Sequence, residues 1–364
     1  MIRVLHILGS LQRGGAETMV MNIYRKIDRS IIQFDFLLKE SVENGYEEEV
    51  KALGGKIYYV ESPKKIGILK YIVRQRDVMK NNGPFDVVHS HVNDLSGLSL
   101  MAAKLAGIPI RISHSHNTQF PRGVNTNIGK LLIKLCATKY VACGQDAGKA
   151  LFGKASYKVI PNGIDTERFL PTTFEDRDNL IRKLGMKPDV LHICHIGRFT
   201  EQKNHTFIIE LAEELKNENI AYQLFLLGEG ELFGQIKSQI QKKEIDEVVF
   251  CGNVSNAFEY LKATDLFILP SLHEGLPVTL VEAQCSGLMS FVSEGVTPEV
   301  DFGLGLIDYL RLDISLWVEK VKKVRDNKKS LSKKEIFAAV AQHNYDINLS
   351  SQMVLSLYKV KGNS

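Results

Sequence analysis

Several things are missing from this chain, and each absence removes a class. No uninterrupted apolar run reaches the about 18 residues that a bilayer-spanning helix needs. The start, Met1-Ile-Arg-Val-Leu-His-Ile-Leu-Gly9, is apolar but short and lacks a small-residue cleavage site, so it reads as a buried first strand and not as a secretory signal. The five cysteines (Cys136, Cys143, Cys194, Cys251, Cys285) are scattered without metal or redox spacing. That argues against a disulfide framework or a thiolate metal site and for buried thiols in a reducing, cytoplasmic setting. Tandem repeats and low-complexity segments are lacking as well. The glycine loop Gly9-Ser-Leu-Gln-Arg-Gly14-Gly15-Ala-Glu17 falls short of a dinucleotide fingerprint, which needs three spaced glycines and an acid after the second strand.

What is present is an ordinary globular composition, 44% hydrophobic and 24% charged over 364 residues, a length that suits two domains better than one. The net charge of +4 divides unevenly: the first 165 residues hold an excess of Lys and Arg, and the remainder an excess of Asp and Glu. The basic half either meets something anionic, such as an acidic membrane surface or a lipid diphosphate, or is simply a solvated surface of uneven charge. Short β-rich runs alternate with helical patterns. Strands are expected at 3–8, 34–38, 56–60, 87–89, 110–113, 140–142 and 158–160, and again at 191–196, 223–227, 248–251, 266–269 and 289–292. Helices are expected between them, including one long helix over 66–81. This alternation predicts an α/β chain with parallel, doubly wound sheets: two Rossmann-like domains facing across a cleft. Boundaries fall at 1–165 and 166–345, with 346–364 a C-terminal helix crossing back to the first domain. Asn162-Gly163 after Pro161 reads as a turn at the hinge, and 326–334 as a surface link.

The most informative segment is Ser271-Leu-His-Glu-Gly-Leu-Pro-Val-Thr-Leu-Val-Glu282. Pro277 suits the first position of a helix. Glu274 then lies in the loop ahead of that helix and Glu282 about one and a half turns into it. A helix start gathers unpaired N–H groups and partial positive charge, which suits a phosphate. One acid can accept from hydroxyls on one side of that phosphate and the other from hydroxyls beyond it. A ligand with sugar hydroxyls on both sides of a diphosphate is a nucleotide-sugar. Upstream, Ile196-Gly197-Arg198-Phe-Thr-Glu-Gln-Lys203-Asn204 sets Arg198 at a strand's carboxyl end and Lys203 at the start of the next helix. Arg can grip a diphosphate as a fork and Lys as a point charge, and both can stabilise charge growing on a departing nucleotide.

These elements resemble, in order, those of the retaining glycosyltransferases of the GT-B fold, the large family 4 or group 1 type that builds bacterial surface polysaccharides, and in particular its exopolysaccharide-synthesis-like subset. The resemblance covers nearly the whole chain and is clearest from Arg198 to Glu282. It implies a nucleotide-sugar donor, a UDP-sugar in preference to a GDP-sugar, transfer with retention, and no metal or other cofactor. It implies that Glu282 holds the ribose hydroxyls and Glu274 those of the donor sugar. By the same resemblance Gly14 and Gly15 reach the donor's phosphate and sugar, Gly228 and Gly230 shape the floor beneath the nucleotide, and the backbone at Asn253-Val254 meets the base. The family's Glu-Gly-Phe-Gly turn reads Glu274-Gly275-Leu276-Pro277 here, which puts the donor sugar in question. The later Gly-Gly-x-Pro-Glu element survives only in part, as Glu294-Gly295-Val-Thr-Pro298-Glu299.

On the acceptor side, many relatives carry a histidine at the place that falls on Ser115, between His114 and His116. Either histidine could orient the acceptor or help its proton leave near neutral pH, with His116 preferred. The two are expected to point to different sides of an extended loop. His89 and His91 form a second pair, and metal binding by all four is set below the acceptor role. Asn127–Lys139 sets Lys130 and Lys134 on one helix face with apolar residues opposite, a pattern that can lie on an anionic membrane or pack into the domain. The expected protein is a cytoplasmic transferase, peripheral on the inner face of the cell membrane, acting on a lipid-linked or polysaccharide acceptor and binding no nucleic acid. The alternatives are a sugar-nucleotide epimerase of the same fold and a non-catalytic nucleotide-sugar-binding subunit.

Overall fold

In the computed structural model, which describes residues 1–43, 45–120, 123–171, 173–325 and 331–359, the chain divides into two compact units. The first comprises Met1–Ile164 together with the segment from Asn344 onward; the second is Asp165–His343.

The sheet of the first unit is parallel throughout, with order β3-β2-β1-β4-β5-β6-β7 among the described residues. Its strands are β1 (Ile2–Ile7), β2 (Ile32–Leu38), β3 (Ile57–Tyr59), β4 (Val87–Ser90), β5 (Ile110–Ser115), β6 (Lys139–Ala142) and β7 (Lys158–Val159). Helices cover both faces, so the central strands are near-continuous apolar runs. Alternation sends Val4 and Leu8 into one core and Leu5 and Ile7 into the other. The strand order reverses between β1 and β4, and in such sheets ligands gather beyond the carboxyl ends at that reversal.

The helix Ile347–Tyr358 belongs to this unit, with Ile347, Val354, Leu357 and Tyr358 buried in the core that holds Val4, Phe34 and Phe36. Its entry is fastened to the chain at Ile164: the Ile164 N–H donates to the Tyr345 carbonyl (2.9 Å) and the Ile347 N–H to the Ile164 carbonyl (3.1 Å). Asn162-Gly163 is therefore no tight turn. The chain there runs into a parallel bridge between Ile164 and Asp346. Gly163 is required by proximity, since a Cβ on it would lie 2.6 Å from Ser350 Oγ and 3.0 Å from the Ile347 Cα.

The second unit's sheet, also parallel, has order β10-β9-β8-β11-β12-β13. Its strands are β8 (Leu191–Ile196), β9 (Tyr222–Leu227), β10 (Val248–Gly252), β11 (Leu266–Leu269), β12 (Met289–Ser293) and β13 (Ile307–Leu310). The reversal falls between β8 and β11, and Trp317 is buried in the core beside Phe207 and Phe291.

The long helix expected over 66–81 is divided at Gly67, whose φ of 82° ends Pro63–Ile66 before Ile68–Asn82 begins. The helices Gln145–Phe152 and Phe174–Lys183 and the edge strand β13 are additional to the expected elements: the first is only 8 residues long, the second has no fully buried side chain and the third is a 4-residue edge strand. Of the expected link, 326–330 lies outside the described residues, and its end forms a helix start where Ser332 and Glu335 make a reciprocal capping box. Asp346 caps the C-terminal helix, its Oδ1 accepting from the Asn348 and Leu349 N–H groups at 2.9 and 3.0 Å. Asp346→Ala is expected to cost the first unit about 1 kcal/mol, read as a lowered urea midpoint at unchanged slope; an unchanged midpoint would contradict that role.

Candidate functional site

Two loops leave the carboxyl ends at the second unit's strand reversal, 197–204 after β8 and 270–277 after β11. Three hydrogen bonds stitch them together. The Leu272 N–H donates to the Gln202 carbonyl (2.8 Å), the Gln202 amide to the His273 carbonyl (2.9 Å), and the Asn204 amide to the Pro270 carbonyl (3.2 Å). Asn204 sits at φ 54°, in the left-handed region that asparagine tolerates, and opens the helix His205–Asn217. Between the loops, Lys203 Nζ lies 2.7 Å from Glu274 Oε1, with the two side chains only 16% and 10% exposed. Glu274 Oε1 accepts no aligned hydrogen bond, so it keeps capacity for a ligand hydroxyl. Gly197 makes room for the lysine stem; a Cβ there would stand 3.1 Å from Lys203 Cδ and Cε. The backbone of Glu274 is held from the other side by the Gly295 carbonyl (3.0 Å) and by the Thr297 N–H (3.2 Å). The partial Glu294–Glu299 element thus braces the acidic loop.

The glycines Gly228 and Gly230 stand against the same turn. A Cβ on Gly228 would lie 2.1 Å from the Gly197 carbonyl oxygen, and one on Gly230 2.5 Å from that of Phe199. The Gly228 N–H also donates to the Gly252 carbonyl (2.8 Å), tying the β9 end to the segment that leads into Asn253 and Val254. Arg198 is different. It is 63% exposed, and its nearest acid is Glu231 at 3.8 Å, itself 62% exposed, so the pair holds it only weakly.

The helix Val278–Cys285 follows, with Pro277 one position earlier than expected, as its N-cap. Gly275 and Leu276 form the loop before it. Glu282 lies on the half-buried face of the helix. Burial pushes its carboxyl up to about 7, and the Arg168 guanidinium works against that rise. Arg168 itself lies over the Phe258 ring at 4.3 Å and donates to the Ser255 carbonyl (3.3 Å). Sequence reading missed Arg168, since nothing in Thr166–Phe169 marks it. It also missed Ser271 and Thr279, whose hydroxyl oxygens are buried without a hydrogen-bond partner in the loop and the first turn.

The second unit therefore brings together Lys203 with Glu274, Arg198 with Gly228 and Gly230 around the Gly197 turn, and Glu282 with Arg168. Gly14, Gly15, His114 and His116 belong to the first unit. There Gly14 caps the helix Gly15–Lys26, and a Cβ on it would meet Glu17 Oε2 at 2.6 Å. His114 and His116 do not point to different sides: two residues apart in an extended chain, they share a face, and their rings stack at 4.2 Å. Nor do they titrate near neutral pH. Burial lowers the His116 pKa to about 3 and that of His114 well below its ordinary value, with the neighbouring histidines pushing His114 the same way. Both rings are neutral at pH 7 and can orient a hydroxyl without carrying charge.

Two parallel Rossmann-like sheets with interleaved helices are the layers of the GT-B fold. A solved Anabaena protein, HepE in complex with UDP-glucose, has the same fold, with a TM-score of 0.79 at 17% identity over 98% of this chain and 99% of that one. The glycosyl transferases group 1 model matches residues 176–300, and the glycosyltransferase family 4 model matches 13–168. A putative glycosyltransferase, EpsF of Bacillus subtilis, is 41% identical over 98% of this chain and 96% of its own length. CapH of Staphylococcus aureus, a capsular polysaccharide biosynthesis glycosyltransferase, is 26% identical over 99% of both. An Escherichia coli UDP-Gal:alpha-D-GlcNAc-diphosphoundecaprenol alpha-1,3-galactosyltransferase is 32% identical over 57% of this chain. The chain belongs to this glycosyltransferase family and is a glycosyltransferase. Among the described residues no helix is long and apolar enough to cross a membrane.

The Glu282 carboxyl gives a pH test. Folded, it keeps its proton up to about pH 7; unfolded, it loses it near 4.5. Its contribution to stability is thus present at low pH and lost as pH rises through that window. Glu282→Gln should match the wild type at pH 4.5 and melt roughly 5–10 °C higher at pH 8. An equal difference at both pH values would contradict the buried carboxyl.

Proposed function

We propose that this chain moves a hexosyl group from a nucleotide-sugar, a UDP-sugar in preference to a GDP-sugar, to a lipid-linked or polysaccharide acceptor during assembly of a bacterial surface polysaccharide, with retention at the anomeric carbon. The observation that carries the reading is the Lys203–Glu274 pair, clamped between two stitched loops at the strand reversal of the second unit. A cation and a carboxylate fixed side by side suit a diphosphate and the adjoining sugar. The first turn of the helix Val278–Cys285 adds backbone N–H donors and dipole. Lys203 neutralises the diphosphate while keeping Glu274 in register, and Arg198, exposed and loosely held, swings onto it from the rim. Glu274 accepts from hydroxyls of the donor sugar and Glu282 from those of the ribose.

In the transfer, the bond from the anomeric carbon to the diphosphate oxygen breaks and the bond to the acceptor oxygen forms on the same face. The acceptor proton passes to the departing diphosphate oxygen. The two cations stabilise the charge that grows there. A neutral His116, with His114 behind it, orients the acceptor hydroxyl. The Escherichia coli relative uses UDP-galactose and a diphosphoundecaprenol-linked sugar, which supports both the UDP donor and the lipid-linked acceptor. No observation favours the epimerase reading.

The helix Val124–Cys136 supports a peripheral membrane contact. Val124, Ile128, Leu131 and Leu135 are exposed at i, i+4, i+7 and i+11, one stripe on a basic unit, with the exposed Lys134 beside it. Lys130 takes no part, since its ammonium donates to the Ala150 carbonyl (2.8 Å). Co-sedimentation with vesicles containing phosphatidylglycerol should be strong for the wild type and lost in Leu131→Ser/Leu135→Ser; equal binding by both would exclude this face.

Thermal melting with a panel of nucleoside diphosphates tests the donor site. UDP should raise the melting temperature more than GDP, with about 2.7 kcal/mol of stabilisation at a hundredfold excess over Kd. Arg198→Ala and Lys203→Gln should each lose most of that gain. A protein that no nucleoside diphosphate stabilises would not be a transferase of this type. Proton NMR of the product reads the stereochemistry, and an inverted anomer would contradict retention.

A further inference from the structure

The first unit holds a group of side chains that the donor site does not use. At its strand reversal, three neighbouring strands end in histidines on one face: His6 from β1, His89 and His91 from β4 and just beyond, His114 and His116 from β5 and just beyond. The register sets His6 beside His89, and period-two alternation keeps all five on the side that faces Tyr358. Rings of His89 and His91 stack at 4.3 Å, and those of His114 and His116 at 4.2 Å.

Hydrogen bonds within this group run in two chains. His6 Nδ1 meets His91 Nε2 (3.0 Å), and His91 Nδ1 meets His116 Nε2 (2.9 Å). In the second chain Tyr358 Oη meets His89 Nδ1 (2.9 Å), and His89 Nε2 meets His114 Nδ1 (3.1 Å). His6 Nε2, His114 Nε2 and His116 Nδ1 remain buried without partners. A neutral imidazole has one donor and one acceptor. Whichever tautomers are chosen, His114 Nε2 at the end of the second chain is left unmatched, as a buried N–H or as a bare lone pair able to ligate.

We propose that His91, His114 and His116 bind a borderline first-row divalent cation, zinc by preference, in an all-imidazole site. One nitrogen from each of the three lies within 4.8 Å of the others. Zinc–nitrogen bonds of about 2.1 Å in tetrahedral geometry put ligand nitrogens about 3.4 Å apart, so only a small closure is needed. The ion replaces the His91–His116 hydrogen bond and gives the buried nitrogen of His114 a partner. The bonds that remain then support the ligand rings from behind: His6 holds His91, and Tyr358 through His89 holds His114. Metal-bound histidines usually have such an outer partner on the second nitrogen. His116 adds a path in, since it is only half-buried and its backbone N–H is fixed by the Asn93 side chain (3.1 Å). A second triad, His6, His89 and His91, shares His91 and lies wholly inside, so the triad that includes the half-buried His116 is favoured. Imidazole ligands suit zinc, copper and nickel over magnesium or calcium. Three protein ligands leave a coordination position for water or another small oxygen ligand. The proposal does not need the transferase reading, but it makes ligands of the His114 and His116 rings that reading gives to the acceptor, so for those two rings the two roles are alternatives.

The test uses the full, untagged chain, purified without chelator, stripped by dialysis against a strong chelator and then titrated with Zn2+ and with Co2+. Wild-type protein should bind one ion per chain and develop the visible absorption of Co2+ in a low-symmetry nitrogen site. His91→Asn and His116→Asn should lose both signals while keeping the wild-type circular dichroism. Tyr358→Phe should bind about 10–100-fold more weakly, since it removes only the outer support. His116→Asn, at the half-exposed end, is the variant least able to disturb folding. Absence of binding in the wild type, or one-ion binding that survives in folded His116→Asn, overturns the assignment.

Discussion

The close approach of Lys203 and Glu274 is the constraint on which the second unit's functional end depends. Each charge lies mostly out of water, and a buried charge stripped of its partner costs about 3–5 kcal/mol. The pair therefore makes the loop after β8 and the loop after β11 a single object, with the Gln202, Asn204 and Leu272 hydrogen bonds as its seams. The surrounding glycines follow from the same demand. Gly197 leaves space for the lysine stem, while Gly228 and Gly230 let the next loop lie directly against that turn. A rigid cation beside a rigid acid is preorganised for a ligand that carries phosphate and hydroxyl together, and little rearrangement is needed when it arrives.

The first unit solves a different problem with the same sheet geometry. Its parallel strands bring histidines from distant sequence positions to one edge, where burial holds them uncharged. The C-terminal helix, capped by Asp346 and anchored by Ile347 and Tyr358, closes that face and supplies the phenol that meets His89. Five rings packed together are rigid and cannot carry a mobile positive charge near neutral pH.

Much of this was legible in the sequence. The alternation of strands and helices follows from local apolar periodicity, which is why the two doubly wound sheets could be read directly. Lys203, Glu274 and Glu282 stood out because strand-end loops and a helix start advertise themselves through Gly, Pro and charge at fixed offsets. The features that escaped are those created by long-range contact. Arg168 meets Phe258 and acts on Glu282 only after folding. Tyr358 reaches His89 across 269 positions. The need for glycine at 228 and 230 also arises at long range, from the backbone of Gly197 and Phe199 lying against them. The pairing of His114 with His116 was available from strand alternation alone, and the expectation of opposite sides was an error of register. Their displaced pKa values come from burial, and for His114 also from His116, His91 and His6, which no local pattern reveals.

The most direct measurement is a crystal structure with a UDP-sugar or UDP bound. The account predicts the diphosphate against the start of the helix Val278–Cys285, an oxygen within about 3 Å of Lys203 Nζ, and the ribose hydroxyls on Glu282. A nucleotide seated elsewhere, with the Lys203–Glu274 pair untouched, would contradict it.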